Sequence, residues 1–289
     1  MTSRRNFVKK AGAGLLAAGA SSVFGSKDLH ADNPGEYAGS NSSLAKKEEL
    51  FKIGMAGFTF RSFDIDQTLQ MLDRLDVRYL CIKDFHLPFN STDANIKAFH
   101  AKLAAKNIIG YGVGPVYMNS EKEVDDAFDY ARRVGVKIMV GIPPQGLFAY
   151  VSQKVKQYDI RYAIHNHGPE DKFPDATSIY ERVKDLDPRM GLCLDVGHNM
   201  RAGKNPATDL KRYSARIFDI HIKNVTEATE KGGTCEMGRG VIDIPELVKT
   251  LRSVKYSGVC SLEFEKDGND PLAGVAESIG YLRGVIDAL

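Results

Sequence analysis

From residue 52 onward the chain repeats one pattern eight times: a short β-branched run, then a longer run with apolar residues at helical spacing. The strand-like runs are Lys52–Thr59, Arg78–Lys83, Ile108–Val113, Lys137–Gly141, Arg161–His165, Met190–Asp195, Ile217–Ile222 and Val259–Phe264. The helix-like runs are Asp66–Leu75, Asp93–Lys106, Glu121–Val134, Leu147–Gln157, Ala176–Lys184, Pro206–Tyr213, Ile244–Val254 and Leu272–Ala288. Such alternation implies parallel strands, each helix carrying the chain back to the starting edge of the sheet. Eight pairs at this length specify an α/β fold made of one closed (β/α)8 TIM barrel. An open doubly wound sheet with a dinucleotide site is disfavoured, since no Gly-x-Gly-x-x-Gly follows the first strand. Local signals agree with these boundaries. Asp64 and Thr92 stand where helix N-caps belong, Asp243 precedes Pro245 at a helix start, and Gly135 follows a helix end.

The barrel is expected over residues 49–289, and what precedes it reads differently. Arg4-Arg5 stands ahead of Phe7, Lys9 and Lys10, followed by a weakly apolar Gly/Ala run from Ala11 to Ala20. That order is a twin-arginine export signal, too short to span a bilayer, with cleavage expected after Ala31. Residues 1–31 are thus a signal and 32–48 a flexible Gly/Asn/Ser/Lys leader. No Cys follows the apolar run, so a lipid anchor is not expected, and the mature protein is assigned to the periplasm. Losing residues 1–31 removes five basic residues and one acidic residue, moving the formal charge from +2 to about −2. A near-neutral mature chain without a basic stripe argues against nucleic acid as a partner. Cys81, Cys193 and Cys260 each sit in an apolar strand run and Cys235 in a Gly-rich loop. They are expected to be free thiols acting as small hydrophobes, even in an oxidising compartment.

Catalytic groups in such barrels come from the C-terminal ends of the strands. The second strand ends in Lys83-Asp84-Phe85-His86, the fifth in His165-Asn166-His167 and the sixth in Asp195-Val196-Gly197-His198. The seventh reads Asp219-Ile220-His221-Ile222-Lys223 and the eighth Glu263-Phe264-Glu265. Four consecutive strands therefore deliver His, Asp, His and a carboxylate to one rim. Imidazole and carboxylate donors suit one divalent ion such as Mn²⁺, Zn²⁺, Co²⁺ or Fe²⁺. Residues two apart share a face. The alternation gives an inner layer of His165, Asp195, His221 and Glu263 for the ion. An outer layer of His167, Lys223 and Glu265 lies above it for substrate. His198 falls out of phase with Asp195 and is expected in the following loop, touching substrate or backing the ligands. Lys83 and His86 line the substrate pocket or position a carbonyl oxygen, although Lys83 reads equally well as a solvated charge. Arg239, between Gly238 and Gly240, sits where backbone can approach a ligand closely.

The strand-end carboxylate, Asp195-x-x-His198, His221-x-Lys223, Gly238-x-Gly240 and final Leu262-Glu263 together resemble the xylose-isomerase-like barrel superfamily. The resemblance spans the mature chain, and the superfamily holds sugar isomerases and epimerases, inosose dehydratases and the endonuclease-four group. It implies Asp195, His221 and Glu263 as metal ligands. Where the epimerases carry a first Glu, this chain has His165. Either His165 serves, or Glu170 reaches back from the next loop, and the more rigid strand end favours His165.

The resemblance implies a small carbohydrate as substrate and proton abstraction next to a carbonyl, leading to isomerisation, epimerisation, dehydration or β-elimination. Export points to free sugars or 3-keto-glycosides. With one Glu of the epimerase pair missing, elimination or hydration with Glu263 or Glu265 as base is expected ahead of epimerisation. His198, His86 or Lys83 would then protonate the leaving group. A sugar isomerase or epimerase proper and a non-catalytic sugar-binding barrel are the competing readings. An endonuclease-four-type hydrolase would need a three-zinc cluster and basic surface that the chain lacks. A homo-oligomer is left open.

Overall fold

The computed structural model of the protein describes residues 49–143 and 146–289. The export signal and leader read from residues 1–48 lie outside the described residues. The barrel strands are β1 (Lys52–Ala56), β2 (Tyr79–Ile82), β3 (Ile109–Tyr117), β4 (Ile138–Ile142), β5 (Arg161–His165), β6 (Met190–Asp195), β7 (Ile217–Ile222) and β10 (Val259–Leu262). They close in the order β1-β10-β7-β6-β5-β4-β3-β2, every neighbour parallel. The expected eight-stranded barrel is present.

The helices are α1 (Ile65–Arg74), α2 (Asp93–Ala105), α3 (Glu121–Val134), α4 (Phe148–Tyr158), α5 (Ala176–Val183), α6 (Val196–Arg201), α7 (Pro206–Tyr213), α8 (Ile244–Ser253) and α9 (Leu272–Ala288). Their starts follow from local chemistry. The Asp64 side chain accepts from Gln67 N while Gln67 reaches back to Asp64 N, closing a capping box on α1. The Thr92 and Asp243 side chains cap α2 and α8 by accepting from Asn95 N and Glu246 N. Gly135, at φ 80°, ends α3 in the left-handed region that glycine enters without strain.

Alternation within the strands divides the apolar residues between two compartments. On β6 and β7, Leu192, Leu194, Ile220 and Ile222 join the large core beneath the helices. Cys81, Val140, Ala163, Cys193 and Phe218 form a second, smaller cluster. All four cysteines are free and buried, as the apolar runs implied. Asp219 and His221 on β7 and Lys223 just beyond it follow one another toward the mouth, all buried.

Two elements were not anticipated. Chain after β6 turns at once into α6, so His198 lies on a short helix rather than in a loop. Beyond β7, the strands β8 (Asn224–Val225) and β9 (Thr234–Cys235) pair antiparallel as a small ribbon. Among the described residues no helix is long and apolar enough to cross a membrane.

Candidate metal centre and substrate cavity

Strand register brings the candidate ligands to one level. Asp195 is the direct partner of His221 across β6 and β7, and His165 pairs with Cys193 one step below. The Glu263 amide donates to Ile222 O, 3.1 Å away, which sets the carboxylate beside the end of β7. His165, Asp195, His221 and Glu263 thereby converge, one donor atom of each within 4.8 Å of the others. His165 Nε2 stands 3.0 Å from His221 Nδ1, 3.5 Å from Asp195 Oδ2 and 3.8 Å from Glu263 Oε2. His221 Nδ1 is 3.3 Å from Glu263 Oε2.

Donors bound about 2.1 Å from one ion stand roughly 3.0–3.5 Å from each other, so most of these spacings already suit a single small cation. Asp195 Oδ2 is buried and is paired with the Lys223 ammonium, 2.9 Å away. Two imidazoles and two carboxylates converging in this way are a donor set that fits a divalent ion. Glu170, the alternative fourth candidate, lines the cavity outside the cluster, whereas His165 stands within it.

Lys223 departs from the expected layering. Its side chain is only 2% exposed, and Nζ lies 2.9 Å from Asp195 Oδ2, 2.7 Å from Glu263 Oε2 and against Glu265. The ammonium thus reaches down from the outer layer into the inner one, because alternation fixes the face of a lysine but not its reach. Three carboxylates surround one ammonium, leaving about two negative charges for an ion to neutralise. Burial, the largest influence, works against ionising Asp195 and Glu263, but Lys223 and the neighbouring imidazoles together outweigh it and hold both well below the usual carboxylate range. Burial also opposes the charge on Lys223, yet Asp195, Glu263 and Glu265 push its pKa well up. The same desolvation pulls His165 and His198 down to about 4, so both rings are neutral near pH 7.

His198 is held from two sides. Its backbone N–H donates to Asp195 Oδ1 at 2.8 Å, so a carboxylate of the cluster caps α6. Arg201 Nη1 donates to His198 Nδ1 at 3.1 Å. A guanidinium cannot accept, so Nδ1 carries the lone pair and Nε2 the hydrogen. Asn166 ties β5 to β6 through both atoms of its amide, donating to Asp195 O at 3.0 Å and accepting from Asp195 N at 2.9 Å.

Two open cavities flank the cluster. One of about 390 Å³ is lined by His198, Lys223, Thr234, Glu265 and Lys266, among others. The other, about 570 Å³, is bounded by Tyr117, His167, Glu170, Asp171, Arg201 and Glu230. Tyr117, 56% exposed, stacks on His167 with ring centroids 6.0 Å apart. Each is of a size to take a small ligand.

Other candidates lie elsewhere. Arg239 makes a two-pronged pair with Glu277, both bonds 2.6 Å, and no contact joins it to the cluster. Its flanking glycines serve packing, not a ligand: a Cβ at Gly240 would stand 2.2 Å from Asn224 Oδ1. His86 Nε2 is taken up by Thr68 Oγ1 at 3.2 Å and Phe63 O at 3.1 Å. Lys83 pairs with its neighbour Asp84. Neither His86 nor Lys83 contacts the cluster, so their expected part in protonating a leaving group has no geometric support. Sequence reasoning missed Asn166, Arg201 and Asp219. Asp219 carried a signal, since it stands in phase with His221 and Lys223.

A family profile described as xylose isomerase-like TIM barrel matches residues 56–285. Among curated relatives, the 3-oxo-isoapionate decarboxylase of Pectobacterium atrosepticum is 25% identical over 112 residues, covering 37% of this chain and 40% of its own length. Inosose dehydratase 2 of Bacillus cereus is 29% identical over 108 residues, 32% of this chain and 36% of the relative. The matched segments thus span well under half of either relative. A xylose isomerase-like TIM barrel protein from Mycobacterium smegmatis, in complex with magnesium, superposes with a TM-score of 0.64. That superposition covers 83% of this chain and 99% of the other at 14% identity, a likeness of fold.

Proposed function

The chain belongs to the xylose isomerase-like TIM barrel family, and from that footing we propose that it is a metal-dependent carbohydrate enzyme acting by β-elimination or hydration. Its substrate is a keto-sugar or 3-keto-glycoside, from which it removes a proton next to the carbonyl. The observation that carries this reading is the convergence of His165, Asp195, His221 and Glu263 below a cavity edged by Lys223 and Glu265. Those four residues would hold the ion, and a bound divalent ion supplies Lewis-acid stabilisation of negative charge on substrate oxygens. The resemblance of short segments to a sugar-acid decarboxylase and an inosose dehydratase supports carbohydrate as the substrate class.

The remaining steps fall to side chains. Glu263 is buried and committed to the cluster, whereas Glu265 is 33% exposed at the cavity edge. Glu265 is therefore the carboxylate placed to take the α proton. The Lys223 ammonium beside it offsets charge that builds on the substrate. The electron pair of the broken C–H bond forms the C=C bond, the β C–O bond breaks, and the departing oxygen takes a proton. The Nε2–H of neutral His198, which lines the same cavity, would hydrogen-bond that oxygen, while the proton it takes is the one Glu265 removed, so Glu265 ends ionised again. An epimerase needs a second base on the opposite face, and His165 with its nitrogen turned into the cluster does not provide one.

Incubation with a divalent ion and candidate keto-sugars or 3-keto-glycosides in D2O, followed by NMR, tests this. Release of the β substituent is expected, with deuterium entering the α carbon of recovered substrate. Clean inversion at that carbon, with no β substituent lost or added, would establish epimerisation instead. Tight binding with no exchange would mark a barrel without chemistry.

We also propose that the mature protein is periplasmic, on the strength of Arg4-Arg5 and the apolar run after them. Replacing both arginines by lysine is expected to leave the precursor in the cytoplasm. An unchanged periplasmic yield in fractionated cells would remove the twin-arginine reading.

A further inference from the structure

Asp219 is a fully buried carboxylate directly beneath the candidate ion site, two residues before His221 on the same inward rank. Tyr111 Oη donates to its two oxygens at 3.0 and 3.1 Å, and Tyr111 Oη lies 2.6 Å from Ser261 Oγ. Cys193 Sγ approaches Oδ2 at 3.8 Å. No lysine or arginine is among its partners in the described residues. A carboxylate buried without a cationic partner is costly by several kcal/mol, so its presence in a barrel core calls for a counterpart.

The group that faces it from the cluster is the His221 imidazole above it, which offers a ring hydrogen rather than a charge. His221 turns Nδ1 toward His165 and Glu263, and Nε2 toward Asp219 Oδ2, 3.8 Å away. Nε2 is buried and makes no hydrogen bond of its own. A neutral imidazole presents a lone pair at only one nitrogen, and the hydrogen on the other must face an acceptor. Among the described residues the carboxylate on the Nε2 side is Asp219.

We propose that Asp219 is a positioning residue for the ion site. Its carboxylate keeps the His221 hydrogen on Nε2 and so turns the Nδ1 lone pair to the ligand cluster, while Tyr111 and Ser261 fix Asp219 itself. Carboxylate–imidazole pairs of this kind orient metal ligands and raise their basicity. The inference rests on the metal reading above, and it adds a three-residue support running from β3 through β7 to β10.

The test is zinc affinity, measured by chelator competition on the full barrel. Asp219→Asn is expected to weaken zinc binding about 10–100-fold. Tyr111→Phe should weaken it less and in the same direction. In the zinc-loaded protein, the His221 ring N–H proton should resonate far downfield and move upfield in Asp219→Asn, a shift that a purely structural role would not produce. An unchanged dissociation constant in folded Asp219→Asn would overturn the proposal. Should that variant fail to fold, Tyr111→Phe decides: weaker zinc supports the chain of contacts, and equal affinity overturns it. A wild-type protein that binds no zinc, Mn²⁺ or Co²⁺ would instead bring down the metal reading itself, and this inference with it.

Discussion

His221→Ala is expected to lose its bound divalent ion and its turnover together while the barrel remains folded. His221 is the cleanest of the four ligand positions to remove. Asp195 also caps α6 through Oδ1, so its replacement would disturb His198 as well as the ion. Glu263 also holds Lys223, and its removal would free an ammonium next to the site. The His221 ring is tied instead to His165, Glu263 and the buried Asp219 beneath it, all within the ion site and its support. Without Nδ1 the cluster keeps three donors and loses the nitrogen that stands 3.0 Å from His165 Nε2 and 3.3 Å from Glu263 Oε2. Lewis-acid stabilisation of several kcal/mol corresponds to a turnover loss of roughly 10²–10⁴-fold, at about 1.4 kcal/mol for each factor of ten. Elemental analysis of the purified variant should show ion content per chain falling from about one toward zero, with an unchanged far-UV spectrum. Full occupancy in a folded variant would refute the site.

The periodicity of the chain was enough to read the barrel, because each strand and helix long enough to repeat its pattern announces its own type. What escaped were elements too short to carry a period. α6 has six residues and follows β6 without a linker, so Val196–Arg201 read as loop and Arg201 went unnoticed. The β8–β9 ribbon uses two residues per strand, and Lys231-Gly232-Gly233 between them reads as a turn with or without pairing. At the site, alternation placed His165, Asp195, His221 and Glu263 on one face, and the structure gathers those four. The same rule could not tell a glycine that admits a ligand from one that admits Asn224, so Arg239 was drawn to the mouth when Glu277 holds it. His86 failed for a related reason: its partners Phe63 and Thr68 lie in chain that no strand-end rule inspects.

The reach of Lys223 gives the second large expectation, for Lys223→Met, which keeps the length of the buried side chain and deletes its charge. In the wild type the ammonium pairs with Asp195, Glu263 and Glu265 at once, the one lysine or arginine among the described residues to do so. Without it, three carboxylates face each other in a buried site, and breaking such a pairing typically costs about 3–5 kcal/mol. For a barrel of this size that is a fall in Tm of roughly 6–20 °C in the ion-free protein. An added divalent ion should act in the opposite direction. It binds the folded chain only, and at a hundredfold excess over Kd such a ligand returns about 2.7 kcal/mol. In the wild type that ion must share Asp195 Oδ2 and Glu263 Oε2 with Nζ, at 2.9 and 2.7 Å. In the variant it has both oxygens to itself, so the ion-dependent rise in Tm should exceed the wild-type rise and Kd should fall. Turnover should nevertheless drop by about 10²–10³-fold, because the charge beside Glu265 that offsets the developing oxyanion is gone. Tighter ion binding with poorer turnover is a combination that loss of packing alone would not give. Calorimetric melts with and without Mn²⁺, an ion titration and a turnover assay read all four quantities. An unchanged Tm together with an unchanged ion-dependent shift would show that Lys223 does not share the site with the ion.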